Sequence, residues 1–128
     1  MRVFELLESV SDDPVKWELK DRYRRTDKVE SIWRRQNYTI EYIPDHDDPE
    51  IFGRLIAVNK NNEVIGDLFF GFDDGQLKGS IEVRPDFRRQ GIASDLYDLG
   101  EKIAGVNFVP DSPHSRDAEA FWQNRMKK

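Results

Sequence analysis

The sequence predicts an α/β domain of the α+β kind, a mixed, mainly antiparallel sheet with flanking helices and one β–α–β crossover. Three observations predict it. Between residues 38 and 83, β-branched and aromatic runs alternate with short polar turns, the pattern of successive hairpins. A helical stripe follows at once: Ile92, Leu96, Leu99 and Ile103 recur at steps of four, three and four. A short apolar run, Val106-Asn107-Phe108-Val109, then reads as another strand, and such a strand–helix–strand unit is normally a right-handed parallel crossover.

Taken in order, residues 1–10 fit either a first strand or a short amphipathic helix, with Val3, Phe4, Leu6, Leu7 and Val10 suiting a helical face slightly better. Ser11-Asp12-Asp13-Pro14 combines cap-type side chains, early acids and a proline, and so starts a helix. From Val15 to about Gln36 the spacing of Val15, Leu19, Tyr23, Val29, Ile32 and Trp33 predicts one broken helix or two short ones, packed by that face on a sheet. The arginines among them, interleaved with acids, read as a solvated face. Strands are expected at 38–43, 54–58, 64–72 and 79–83, with turns at Asn59-Lys60-Asn61-Asn62 and Asp73-Asp74-Gly75. Pro110-Asp111-Ser112-Pro113 breaks the chain, and Ser115 caps a last helix with Ala118, Phe121 and Trp122 inward.

At 128 residues the chain fits a single domain spanning 1–128, since one core commonly occupies about 100 to 200 residues. With no cysteine, thiolate nucleophiles, disulfides and cysteine zinc sites are excluded. Two histidines, His46 and His114, are too few for a multi-histidine metal centre, and no metal is expected. The net charge of −5 argues against a nucleic-acid binder. No apolar run approaches the roughly 20 residues of a membrane span. The first residues carry two acids and no long apolar segment, so a cytoplasmic location is the default expectation.

The stretch that carries chemistry is Val83-Arg84-Pro85-Asp86-Phe87-Arg88-Arg89-Gln90-Gly91-Ile92-Ala93-Ser94. A strand ends, the chain turns tightly, and a helix opens at a glycine. The first amides of a helix lack internal partners and sit at the positive end of its dipole, so an anion is stabilised there. Gly91 and Ala93 keep those amides accessible, and Arg88 and Arg89 add positive charge suited to phosphate.

This stretch resembles the cofactor motif of the GNAT acetyltransferase superfamily: Arg or Gln, two residues, Gly, one residue, then Gly or Ala, here Arg88, Gly91 and Ala93. Ser115-Arg116-Asp117-Ala118-Glu119-Ala120-Phe121-Trp122 is similar to a second family pattern, Asn-x-x-Ala-x-x-Phe/Leu-Tyr. The two together cover residues 80–122. The resemblance implies acetyl-CoA as cosubstrate. Arg88 and the backbone amides of Arg89, Gln90, Gly91, Ile92, Ala93 and Ser94 would hold its diphosphate, and Ile81, Glu82 and Val83 would pair with the pantetheine arm. The chain also departs from the family. Its asparagine is Ser115, and its tyrosine, often the acid for the departing thiolate, is Trp122, whose indole N–H is no useful proton source. Relatives usually carry two further strands after the point where this sequence stops, Lys128.

For catalysis, Glu82, Asp111, His114, Ser115 and Trp122 are the candidates. Glu82 faces either the thioester region or solvent; Asp111 is either a base or a turn aspartate; His114 could titrate near neutral pH or be a solvated loop residue. Trp17, Trp33, Phe69, Phe70 and Phe72 line either an acceptor pocket or the core. The expected activity is acetyl transfer to a primary amine of a small molecule or protein. The other reading is an inactive GNAT-like module working through protein contacts, with a homodimer or partner chain completing the sheet.

Overall fold

The computed structural model describes residues 14–26, 29–45, 47–109, 122, 123 and 125. In chain order they form helix α1 (Pro14–Thr26), strands β1 (Ser31–Arg34), β2 (Tyr38–Pro44), β3 (Ile51–Asn59), β4 (Val64–Asp73) and β5 (Gln76–Val83), a 3-10 turn at Pro85–Phe87, and helix α2 (Ile92–Ala104). The sheet runs β1-β2-β3-β4-β5 and every pairing in it is antiparallel. The α+β class is as the sequence predicts.

Both tight turns follow their side chains. Asn59 Oδ1 accepts the amides of Asn61 and Glu63, each at 3.0 Å, while Asn62 takes the left-handed backbone. Asp74 and Gly75 both have positive φ, 55° and 77°, the pair of values a two-residue hairpin turn demands.

The expected second helix is corrected. Residues 31–34 form strand β1, whose Ile32 and Trp33 lie opposite Glu41 and Ile40. The spacing of Val29, Ile32 and Trp33 suits a helix, but the turn closed by the Arg35 amide on the Tyr38 carbonyl (2.9 Å) brings the segment against β2. Ladder pairing of a β-branched and an aromatic residue then outweighs local helix propensity.

The inward face of α1 is also corrected. Val15, Leu19 and Tyr23 are exposed, whereas Trp17 and Lys20 are buried. The cause lies on the sheet, where Glu41, Ile56, Asp67 and Glu82 sit in one row across four strands and present carboxylates to the helix. Lys20 and Arg24 answer them.

Residues 106–109 do not form the expected strand. The Val109 amide bonds the Leu77 carbonyl at 3.0 Å, one contact on the outer edge of β5. The expected last helix lies outside the described residues except for Trp122, Gln123 and Arg125, which are helical.

Two apolar layers hold the sheet. On one face Ile40, Tyr42, Leu55, Leu68, Phe70, Leu77 and Val83 meet Ile92, Leu96 and Leu99 of α2. On the other, Trp17 of α1 covers Ile43, Ile56, Val58 and Val64. Phe108 is a wedge in the first layer. It stands edge-on to Phe70 and Tyr97, and a Cβ placed on Gly79 of β5 or Gly100 of α2 would lie 3.1 or 2.9 Å from its ring. Glu101 Oε2 holds the Phe108 amide at 2.9 Å.

Candidate cofactor site and active site

Strand β5 stops where the Arg84 amide bonds the Ile65 carbonyl (2.8 Å), and Pro85 then turns the chain, with the Phe87 amide on the Arg84 carbonyl at 2.9 Å. Arg89 and Gly91 both adopt left-handed backbone, φ 63° and 81°. Gly91 is the N-cap of α2, and the first helical bond runs from the Asp95 amide to the Gly91 carbonyl at 3.0 Å. No side chain caps this helix, and among the described residues the amides of Arg89 to Ser94 find no acceptor. A Cβ on Gly91 would meet nothing within 4 Å, and Arg88 to Gly91 are exposed. The result is a run of donors at the positive end of a helix, open in front of Gly91.

The motif arginine does something the sequence did not reveal. Arg88 Nε donates to the Val83 carbonyl at 3.0 Å, so its guanidinium ties the helix mouth back to the strand end.

Strand alternation sorts the three expected arm-binding residues. The Arg84–Ile65 bond continues the β4–β5 register, which turns the backbone groups of Glu82 toward Asp67 and those of Ile81 and Val83 to the outer edge. The edge is occupied at Leu77 by Val109 and at the Val83 carbonyl by Arg88. Between them the Ile81 groups and the Val83 amide have no partner among the described residues.

The Glu82 side chain points to the α1 face with 9% of its surface exposed, Lys20 Nζ lies 3.2 Å from one oxygen, and the other, Oε2, has no partner among the described residues. Burial pushes its carboxyl above the usual carboxylate range, only partly opposed by Lys20. Asp67 beside it takes Arg54 Nη1 at 2.6 Å and Lys20 at 3.6 Å, and its Oδ1 has no partner among the described residues. Arg24 grips Glu41 through Nε and Nη2 at 2.8 to 3.0 Å. Lys20 also stands over the Trp17 ring, 4.1 Å from its centre. Sequence reading missed Lys20 and Asp67. The signal available was a charge repeated within otherwise apolar strands.

A second missed cluster flanks the helix mouth. Arg35 holds Asp95 with two bonds, Nε to Oδ2 at 2.7 Å and Nη2 to Oδ1 at 2.9 Å, and the Tyr38 hydroxyl donates to Oδ2 at 2.8 Å. Burial disfavours the Asp95 charge, but the bonds from Arg35 and Tyr38 outweigh it and hold this carboxyl below its ordinary range. The bond to Asp95 raises the Arg35 guanidinium in turn. Burial, then the bond to Asp95, pushes the Tyr38 phenol up to about 12.

Trp122 is buried against Tyr97 of α2, ring centres 5.0 Å apart. Arg125 follows it, bonding Asp98 at 3.0 Å and Glu101 at 2.7 Å. Asp111, His114, Ser115 and His46 lie outside the described residues. Among the described residues no cluster suits a metal ion, and no helix is long and apolar enough to cross a membrane.

No curated protein and no solved structure is significantly similar to the chain. A family model does match, that of the Acetyltransferase (GNAT) family, over residues 12–122. That match runs from α1 through the whole sheet and the open mouth of α2 to Trp122, so the chain belongs to the acetyltransferase (GNAT) family, whose general activity is acyl transfer.

Proposed function

We propose that the protein is an acetyl-CoA-dependent N-acetyltransferase acting on a primary amine. The observation that carries this reading is the open, uncapped run of amides from Arg89 to Ser94, which suits a diphosphate. The edge left open among the described residues at the Ile81 groups and the Val83 amide suits the amide-bearing arm of the same molecule, as an added strand. When bound, acetyl-CoA supplies an acetyl group activated as a thioester.

The chain's own residues then have two tasks. Holding diphosphate and arm at separate places aligns the acetyl carbon with the amine, and alignment alone is worth several kcal/mol. The second task is to take the proton the amine sheds as its nitrogen bonds the acetyl carbon and the carbon–sulfur bond breaks. Glu82 is our candidate for it. Its Oε2, without a partner among the described residues, and its raised basicity fit a proton acceptor better than an ordinary surface carboxylate. Asp111, His114 and Ser115 are the other candidates. The thiolate takes its proton from solvent, since Trp122 has none to give.

Calorimetric titration with CoA tests the reading. Wild type binds in the micromolar range, and Gly91→Glu abolishes binding because it sets a carboxylate among the amides; the left-handed backbone at Gly91 also costs the variant about 1 to 2 kcal/mol of stability, so the titration is run below its lowered unfolding midpoint. Absence of binding at millimolar CoA overturns it.

One observation favours a second reading, an inactive module of the same fold: Trp122 stands at the position of the family's tyrosine and is packed on Tyr97. Thiol release from acetyl-CoA with a panel of amines separates the two.

A further inference from the structure

Asp95 is an acid in the first turn of α2, one turn from Gly91. Along a helix one turn is about 5.4 Å. Its carboxylate therefore lies within a Debye length of the mouth, roughly 8 Å at physiological salt. An acid in a first turn favours the helix itself, yet it opposes a second anion arriving at the same amides. Arg35 meets it from the β1–β2 turn, 60 residues away in sequence, with a two-pronged bond that cancels its charge, and Tyr38 adds a third donor.

We infer that Arg35 is a positioning residue of the cofactor site, neutralising Asp95 so that the mouth of α2 presents net positive potential to a diphosphate. The inference rests on the proposed acetyl-CoA reading. It assigns a role to a residue outside the motif, and it explains why an acid so close to an anion site is held by two partners. Arg35 acts on Asp95 and the cofactor feels the result.

Charge cancellation and mere clamping predict different double variants. CoA affinity is measured by calorimetry for wild type, Arg35→Gln, Arg35→Lys, Asp95→Asn and the Arg35→Gln/Asp95→Asn double variant, below the unfolding midpoint of each and at low and high salt. Arg35→Gln weakens binding about fivefold at low salt, the scale of one charge at a helix terminus, and high salt shrinks the difference. Arg35→Lys binds more tightly than Arg35→Gln because it keeps the charge, and less tightly than wild type because it loses the two-pronged bond. Asp95→Asn binds as well or better, and the double variant returns to near wild type. In turnover the loss falls on KM for acetyl-CoA and leaves kcat unchanged.

A double variant as weak as Arg35→Gln, or Arg35→Lys equally weak, overturns the inference and makes the pair a structural clip. A double variant that stays weak with CoA but not with dephospho-CoA also overturns it, by showing a direct bond from Arg35 to the 3′-phosphate. If wild type fails to bind CoA, the proposed function falls first and the inference with it; if wild type binds and only the variants disagree, the inference alone falls.

Discussion

Glu82 pairs with Asp67 across β4 and β5 while its nearly buried side chain meets Lys20 of α1. Burial raises its carboxyl above the ordinary range, with Lys20 pulling the other way. A base must be ionised to act, so turnover falls as pH drops through that raised value. Glu82→Gln should therefore lower kcat by about a hundredfold, the scale of a positioned base, and remove the acid limb of the pH profile. Thiol release followed from pH 4 to 8 checks this. A limb near the usual histidine range, retained in Glu82→Gln and absent in His114→Ala, would hand the role to His114. Strand alternation left the direction of Glu82 open in the sequence; the β4–β5 register decides it.

Helix α2 was legible from the sequence because its signals are local: a four-three-four apolar stripe, a glycine at each end and a strand stop before it. Its return connection was not. Residues 106–109 look like a strand by composition, yet only Val109 reaches β5, because Phe108 spends its side chain as a wedge between Gly79 and Gly100. That packing predicts Gly100→Ala to be destabilising by about 1 to 3 kcal/mol, since the ring cannot retreat without opening the layer behind it. Urea unfolding measures it, and an unchanged midpoint would mean that the ring has room to move. Likewise β1 and the inner face of α1 were misread for one reason. Helical spacing is a local pattern, and what decided both segments lies on β2 and β4, far along the chain.

At the scale of the molecule, the sheet separates an apolar layer under α2 from a layer under α1 that mixes apolar and ionic contacts. Lys20 is the cation shared by Asp67 and Glu82 in that second layer. Glu82, with a folded value above its unfolded one, stabilises the fold fully below the unfolded value and loses that contribution as pH rises through the folded one. Removing Lys20 raises the folded value further, so the loss at neutral pH grows. Lys20→Met should cost about 3 kcal/mol at pH 7 and clearly less near pH 4, by urea unfolding at both. An equal loss at both would assign the cost to packing on Trp17. The ionic layer was invisible in the sequence, where its members lie tens of residues apart, whereas the cofactor motif is twelve consecutive residues. Phe108 carries one consequence further. Its ring touches the strand proposed for one end of a long, thin molecule and the helix proposed for the other, so its bulk acts as a gauge block between two jaws. A smaller side chain there would let the bite close, and the cofactor would register the error at a distance, through a residue it never meets.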